Sequence, residues 1–326
     1  MRNKKVRVAI GAPTYNDHER IRNLWTSIFT FTDFSCIGGE ENVGFVMLDD
    51  GTPDKSHVEK LREMGEEFNI PLIENEKNMG IPHAWNRLTE YYDADIVILC
   101  NDDVMINNEN WLKALVYVFE NNENIGSIGF NLIQIDPKTN KLNSNYTLPN
   151  YDVPVGRVGS PVGCCFGFLK KNWAKVSIDR TVGFPESVIR SFYEETWFNF
   201  EQWKQGLMSC HVPYPAFEHY GSQTFGNNTC LSTTEFNEHM SKDEYLIILK
   251  QHPEKLALSI DQHKELAEKG LAYRMDYSRC LFAKFWRCRD YWSAPQVEVH
   301  EQLVNTVPRR MIKYLDKNMN ECEVMA

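Results

Sequence analysis

Two pairs of adjacent carboxylates, Asp49-Asp50 and Asp102-Asp103, each follow an apolar run in the chain. The runs are VGFVML (43–48) and IVILC (96–100). Carboxylates side by side repel and raise each other's pKa, so each pair needs a counter-charge or a set of hydrogen-bond donors. A divalent cation bridging Asp side chains and the oxygens of a phosphorylated ligand meets that need. Turn formation or helix capping meets it too, and for an isolated Asn101-Asp102-Asp103 the turn is the commoner use. Glu194-Glu195 form a third pair. One of them can move a proton, or both can sit on the solvated face of a helix. His219 suits a divalent metal, although a lone loop histidine is the ordinary reading.

The elements that must position these groups are legible in the first half. Apolar segments at 6–13, 43–48, 70–75, 94–100 and 125–135 read as strands. Between them, apolar residues recur at helical spacing: Ile21, Leu24, Trp25 and Ile28, then Val58, Leu61, Met64 and Phe68 behind a capping Asp54. Pro82 opens the next helix, and Trp111, Leu112, Leu115, Val116 and Phe119 mark another. Strand–helix alternation with strands apolar on both faces predicts an α/β fold with a mostly parallel sheet. Ligands of such sheets lie beyond the carboxyl ends of the strands. Thr14-Tyr15-Asn16, Asp49-Asp50 and Asn101-Asp102-Asp103 all stand at such ends, so distant stretches converge on one edge.

Further on, 137–162 reads as loop or edge structure, 191–206 as a helix ending at Gly206, and 207–222 as a short strand pair or extended segment. From about residue 230 the pattern is mainly helical and polar.

The chain has 326 residues and a formal net charge of −10, which excludes a surface built throughout to hold phosphate backbones. Its longest apolar runs reach roughly eight residues, where a membrane span needs about 20. Nine cysteines with no regular spacing predict free thiols and a reducing, cytoplasmic setting.

The ordered motifs resemble glycosyltransferase family 2, whose catalytic domain has the GT-A fold. APTYN (12–16), LDDGTPD (48–54) and NEKNMGIPHAWN (75–86) are similar to its first three segments. LCNDDVMINNENWLKALV (99–116) is similar to its variant of the D-x-D motif. GCCFGFLKKNWAKV (163–176), YEETWFNFEQWKQGL (193–207) and VPYPAFEHYGS (212–222) follow in the family's order. Each segment alone is weak; seven in order carry the resemblance.

The resemblance implies a GT-A domain over 1–228, a mainly helical extension over 229–326, and inverting transfer of a single sugar from a nucleotide-diphosphate sugar. A UDP- or dTDP-sugar is the expected donor. Pro13, Thr14, Tyr15 and Asn16 would hold the base and ribose. Asp50, helped by Asp49, would accept from the base. Asn78, Gly80 and His83 would wall the ribose and diphosphate. Asn101 stands where the first Asp of D-x-D often stands, and Asp102 would face the ribose or the turn backbone. Asp103 and His219 would ligate a divalent metal, Mn²⁺ or Mg²⁺. Glu195 would be the catalytic base, with Glu194 as the alternative because the family usually has Asp after Glu here.

The Q-x-x-R-W motif of processive synthases is absent, which favours single-sugar transfer. A sugar-nucleotide pyrophosphorylase would need a Gly-rich loop that GAPTYND does not supply. A nucleotide-sugar-binding protein without chemistry is the other rival. The acceptor is open among a glycan, a lipid-linked sugar, a protein and a modified nucleic acid. The basic aromatic stretch 277–292 has two readings. It contacts nucleic acid or a membrane surface peripherally, or it is a helix that packs its aromatics inward and frames the acceptor site or a homodimer contact.

Overall fold

The computed structural model describes residues 5–136, 141–142, 156–158, 164–220, 233–256, 258–289, 291 and 295–325. The expected domain boundary at 228, Trp292 and most of the expected loop 137–162 lie outside the described residues.

The first half alternates as expected: β1 (Lys5–Thr14), α1 (His18–Phe31), β2 (Val43–Asp49), α2 (Lys55–Glu67), β3 (Leu72–Glu74), α3 (Ile81–Tyr91), β4 (Asp93–Cys100), β5 (Val104–Met105), α4 (Trp111–Asn121) and β6 (Ile125–Asp136). Short strands β7 (Lys141–Leu142) and β8 (Gly156–Val158) precede β9 (Cys165–Leu169), α5 (Lys170–Trp173), β10 (Ser177–Ile178), β11 (Thr181–Val182), α6 (Glu194–Lys204) and β12 (Met208–His219). The C-terminal segment holds β13 (Thr233–Glu235), α7 (Lys242–Leu249), α8 (Ile260–Glu268), β14 (Leu271–Tyr273), α9 (Arg274–Phe285), α10 (Pro295–Val304), β15 (Met311–Leu315) and β16 (Glu321–Met325).

The local signals explain the helices. Asp17 and Asp54 cap α1 and α2 by accepting from first-turn amides. Pro82 sits in the first turn of α3, where a missing N–H costs nothing. Asn110 stands at the cap of α4, so Asp102 and Asp103 are not spent on capping that helix.

The main sheet runs β3-β2-β1-β4-β9-β6-β12-β5, with β7 beside β6 and β8 beside β12. The pairs β1–β2, β1–β4, β2–β3 and β6–β12 are parallel. β9 runs against both β4 and β6. From β3 to β12 only β9 is reversed, which is the mostly parallel sheet the apolar runs predicted. β1 is buried almost throughout, as a strand covered on both faces must be.

Of the two forms read for 207–222, the structure has the extended one: 208–219 is one long strand beside β6. Its register shifts between Val212 and Ala216. Pro213 and Pro215 fall there and have no N–H to give the ladder. The C-terminal segment also carries two small strand pairs, β13–β14 and β15–β16. Ile312 and Leu315 of β15 are buried, and Ile312 joins the core.

α6 links the two halves of the molecule. It buries Trp197, Phe198, Phe200 and Trp203, which lie on several sides of the helix. Only Lys204 of α6 is exposed, so most faces of the helix must be covered. The sheet covers one side, and α9 covers another. Phe282 of α9 packs on Tyr193, Trp197 and Phe200, with ring centroids 4.9, 5.7 and 6.0 Å away. Trp286 meets Phe200 at 5.6 Å, and Lys204 lies over the Trp286 ring. Tyr277 and Phe282 therefore pack inward, while Phe285 touches Trp197 and stays partly open to solvent. A buried Tyr245–His263–Asp276 chain, with contacts of 3.2 and 3.3 Å, ties α7, α8 and α9 together.

We expect Phe282→Ala to destabilise the protein by about 3–5 kcal/mol, the usual result of emptying a buried aromatic site. Chemical denaturation monitored by tryptophan fluorescence checks this. A loss under about 1 kcal/mol would mean the extension does not support α6.

Candidate active site

The three polar clusters do meet. Thr14 pairs in register with Asp49 across β1 and β2, and the Asp50 amide donates to the Thr14 carbonyl at 3.0 Å. The Thr14 hydroxyl lies 2.8 Å from Asp102 Oδ2, across a separation of 88 residues. Pro13 is buried in β1, while Tyr15 and Asn16 lie on the turn beyond it, more open to solvent. Asn16 has φ 61° and its amide donates to the Thr52 hydroxyl.

Asp49 and Asp50 do different jobs. Asp49 accepts from the Thr52 amide, closing the turn after β2. Asp50 accepts from Asn75 Nδ2, the Met79 amide and the Gly80 amide, at 2.7, 2.9 and 2.9 Å. Burial raises its pKa, and those donors oppose the rise. Asp50 thus holds the 75–80 loop against the end of β2. Asn78 Oδ1 is buried there with no hydrogen-bond partner among the described residues. His83 Nδ1 lies 2.9 Å from Glu186 Oε2, at the start of α3.

Gly80 is required twice over. Its φ is 94°, and a Cβ would stand 2.3 Å from the Arg190 carbonyl oxygen. That oxygen accepts from the Ile81 amide at 2.8 Å, so the two segments are stitched together. We expect Gly80→Ala to cost at least about 2 kcal/mol, from backbone strain plus a forced separation of the 80 and 190 segments. A thermal melt within a degree of the parent would contradict this.

Asp103 and His219 meet next to Asp102. β5 pairs antiparallel with the end of β12, setting His219 opposite Val104. The Tyr220 amide donates to the Asp103 carbonyl and locks that register. His219 Nε2 consequently lies 3.3 Å from Asp103 Oδ1. That oxygen is buried and receives no hydrogen bond from the described residues. Two ligand atoms adjacent on a cation at about 2.1 Å from each are about 3 Å apart. An oxygen left without a hydrogen bond beside an imidazole nitrogen at that spacing fits a divalent metal. Asp102, fully buried and beside Asp103, is pushed up to about 7. Asn101 Oδ1 is also buried without a hydrogen bond among the described residues.

Glu194 and Glu195 open α6. The two residues before them, Phe192 and Tyr193, both have positive φ (65° and 68°), a strained pair for bulky side chains. Asn199 anchors the turn: its Nδ2 donates to the Glu195 carbonyl, and its Oδ1 meets the Ser127 and Ser209 hydroxyls of the sheet. Burial and the neighbouring Glu195 push Glu194 well above the ordinary carboxylate range. Glu195 is raised by burial to about 6, with amide and hydroxyl hydrogen bonds at Thr196 holding it down. The buried Cys164 thiol feels both Asp103 and Glu195.

Sequence reading missed Arg190 and Arg274. The charge of Arg274, at the start of α9, is felt together with Arg190, Asp50, Tyr15 and Glu194. Neither arginine stands in a motif; only the tertiary fold brings them to the cleft. A separate cluster of Asp179, Glu238 and His239 is exposed and already paired with Arg180.

No curated protein matches the chain by sequence search. Solved structures do match by shape. The chain superposes on GalNAc-T7, crystallised with UDP, GalNAc and Mn²⁺, with TM-score 0.54 and 12% identity, over 92% of this chain and 57% of that one. Mannosyltransferase PcManGT from Pyrobaculum calidifontis, in complex with GDP-Man and Mn²⁺, gives TM-score 0.50 and 14% identity, over 94% and 82%. TarS from S. aureus gives 0.51 and 13%, over 98% and 60%. The chain thus spans well under two thirds of the length of GalNAc-T7 and TarS. These likenesses show the GT-A fold. The description of glycosyl transferase family 2 matches residues 9–175, just over half of the chain, including the segments that carry the strand-end clusters. The chain belongs to glycosyl transferase family 2.

Proposed function

We propose that the protein transfers a single sugar from a nucleotide-diphosphate sugar to an acceptor hydroxyl, with inversion and with a divalent metal. The observation that carries this is the pairing of His219 Nε2 with a buried Asp103 oxygen that receives no hydrogen bond from the described residues.

The residues divide the work. Tyr15, Asn16 and the Asp50-held loop 75–80 border the nucleotide. Asp103 and His219 would hold Mn²⁺ or Mg²⁺, which when bound neutralises the diphosphate and its departure. Asp102 orients the site through Thr14. A cation beside Asp103 would favour the ionised form of Asp102, relieving the conflict between the two carboxylates. Glu195 takes the proton of the acceptor hydroxyl as that oxygen attacks the anomeric carbon. Glu194 stays protonated beside it, because two buried neighbours do not both ionise. That difference favours Glu195 as the base. A UDP- or dTDP-sugar remains the proposed donor. The Mn²⁺ complexes of GalNAc-T7 and PcManGT support a metal, and they carry different nucleotides, UDP and GDP.

Thermal unfolding with a panel of UDP-, dTDP- and GDP-sugars, with and without Mn²⁺, tests the reading. One nucleotide should raise Tm, and only with metal. No shift with any of them would contradict it.

A further inference from the structure

Arg190 and Arg274 form a like-charged pair at the cleft with no obvious counter-ion. Neither side chain has a carboxylate within ion-pair distance among the described residues. Arg274 donates through Nη2 to the Thr233 carbonyl at 3.0 Å, and its Nε is buried with no hydrogen-bond partner among the described residues. Burial and Arg190 together lower its pKa, while Asp50, Tyr15 and Glu194 oppose them. Both residues are half-buried, and like charges held near each other repel, while the unpaired buried Nε–H of Arg274 is costly. Such an arrangement is stable when an anion completes it.

The position is built, not accidental. The Arg190 backbone is clamped to Gly80 and Ile81, and Gly80 in turn to Asp50. Arg274 is placed by α9, whose Ser278 hydroxyl donates to the Ser191 carbonyl at 2.7 Å and whose Phe282 stacks on Tyr193. α9 starts at Arg274 without a side-chain cap, so its first amides add to the positive field. The Arg190 backbone thus stands beside Gly80 of the Asp50-held loop, and Arg274 opens the helix whose next turn bonds the neighbouring Ser191 carbonyl.

We propose that Arg274, supplied by the C-terminal segment, and Arg190 bind the diphosphate of the donor from the side opposite the metal ligands. The inference rests on the proposed nucleotide-sugar reading and adds that the extension completes the donor site. Guanidinium forks match phosphate oxygens in pairs, which a lysine does not.

Calorimetric titration with inorganic diphosphate, with and without Mn²⁺, tests it independently of the unknown base. The parent chain should bind in both conditions. Arg274→Gln and Arg190→Gln should each weaken binding by about 10- to 100-fold, as expected for hydrogen bonds to charged groups. Arg274→Lys should recover only part of the loss. Arg190→Gln and Arg274→Lys carry the test if Arg274→Gln does not fold, which unfolding without ligand reveals. Unchanged binding in the folded variants overturns this inference and leaves the donor reading intact. Failure of the parent chain to bind diphosphate in either condition overturns both.

Discussion

Asp103→Ala should lose metal-dependent turnover by about three orders of magnitude while its fold is kept. The reason is local. Asp103 Oδ1 receives no hydrogen bond from the described residues, so removing it breaks no network. Its neighbour His219 stays in place through the β5–β12 register, which is made by backbone. What is lost is the charge that would hold the cation, worth several kcal/mol at the departing diphosphate, with each tenfold in rate equal to about 1.4 kcal/mol. Relief of the Asp102–Asp103 repulsion should even raise stability slightly without metal. Steady-state kinetics over a Mn²⁺ series, beside a thermal melt, reads both. A variant with parental turnover would remove Asp103 from the metal role.

Glu195→Gln should keep donor binding and lose transfer by about 100- to 10,000-fold, the usual share of a general base. Its pH dependence gives an independent check. Burial raises Glu195 to about 6, and a base must be deprotonated to work. Transfer should therefore fall as pH drops through about 6 and level off above it. For stability the sign is opposite. A carboxyl raised in the fold resists ionisation, so its contribution is present below the unfolded value and is lost as pH rises through the folded one. An acid limb near 4.5 would mean that Glu195 is not the titrating base. Full activity of the Gln variant would move that role to Glu194 or elsewhere.

Much of this was legible in the chain because the signals were local and periodic. The strand ends that carry Thr14, Asp49 and Asp102 follow from apolar runs, and their convergence follows from parallel pairing. Asp54, Pro82 and Gly206 marked helix ends for stereochemical reasons that depend on few neighbours. The pairing of His219 with Asp103 was foreseen through family resemblance. Its physical cause, a two-residue strand at Val104–Met105, is too short to read from a pattern. Residues 208–219 left a strand pair and an extended segment both open, because Pro213 and Pro215 interrupt the run. The strand survives them by shifting register.

Arg190 and Arg274 could not be found from sequence. Nothing in their spacing distinguishes them among 35 lysines and arginines. They matter because α9 packs on α6, which depends on Phe282 meeting Tyr193 and Trp197. That contact also recasts the aromatic tail. Its basic and aromatic residues suggested a surface for another macromolecule, but Phe282 turns inward to complete the core around the Glu194-Glu195 helix. No helix among the described residues is long and apolar enough to cross a membrane.

The central claim is metal-dependent cleavage of a nucleotide-sugar bond at the Asp103–His219 side of the cleft. Its most direct test is release of nucleoside diphosphate from a donor panel with Mn²⁺, after chelation, and after Mn²⁺ is restored. The account predicts release from at least one donor, loss on chelation, recovery with Mn²⁺, and no recovery in Asp103→Ala. Release that ignores chelation, or no release from any donor, would contradict it.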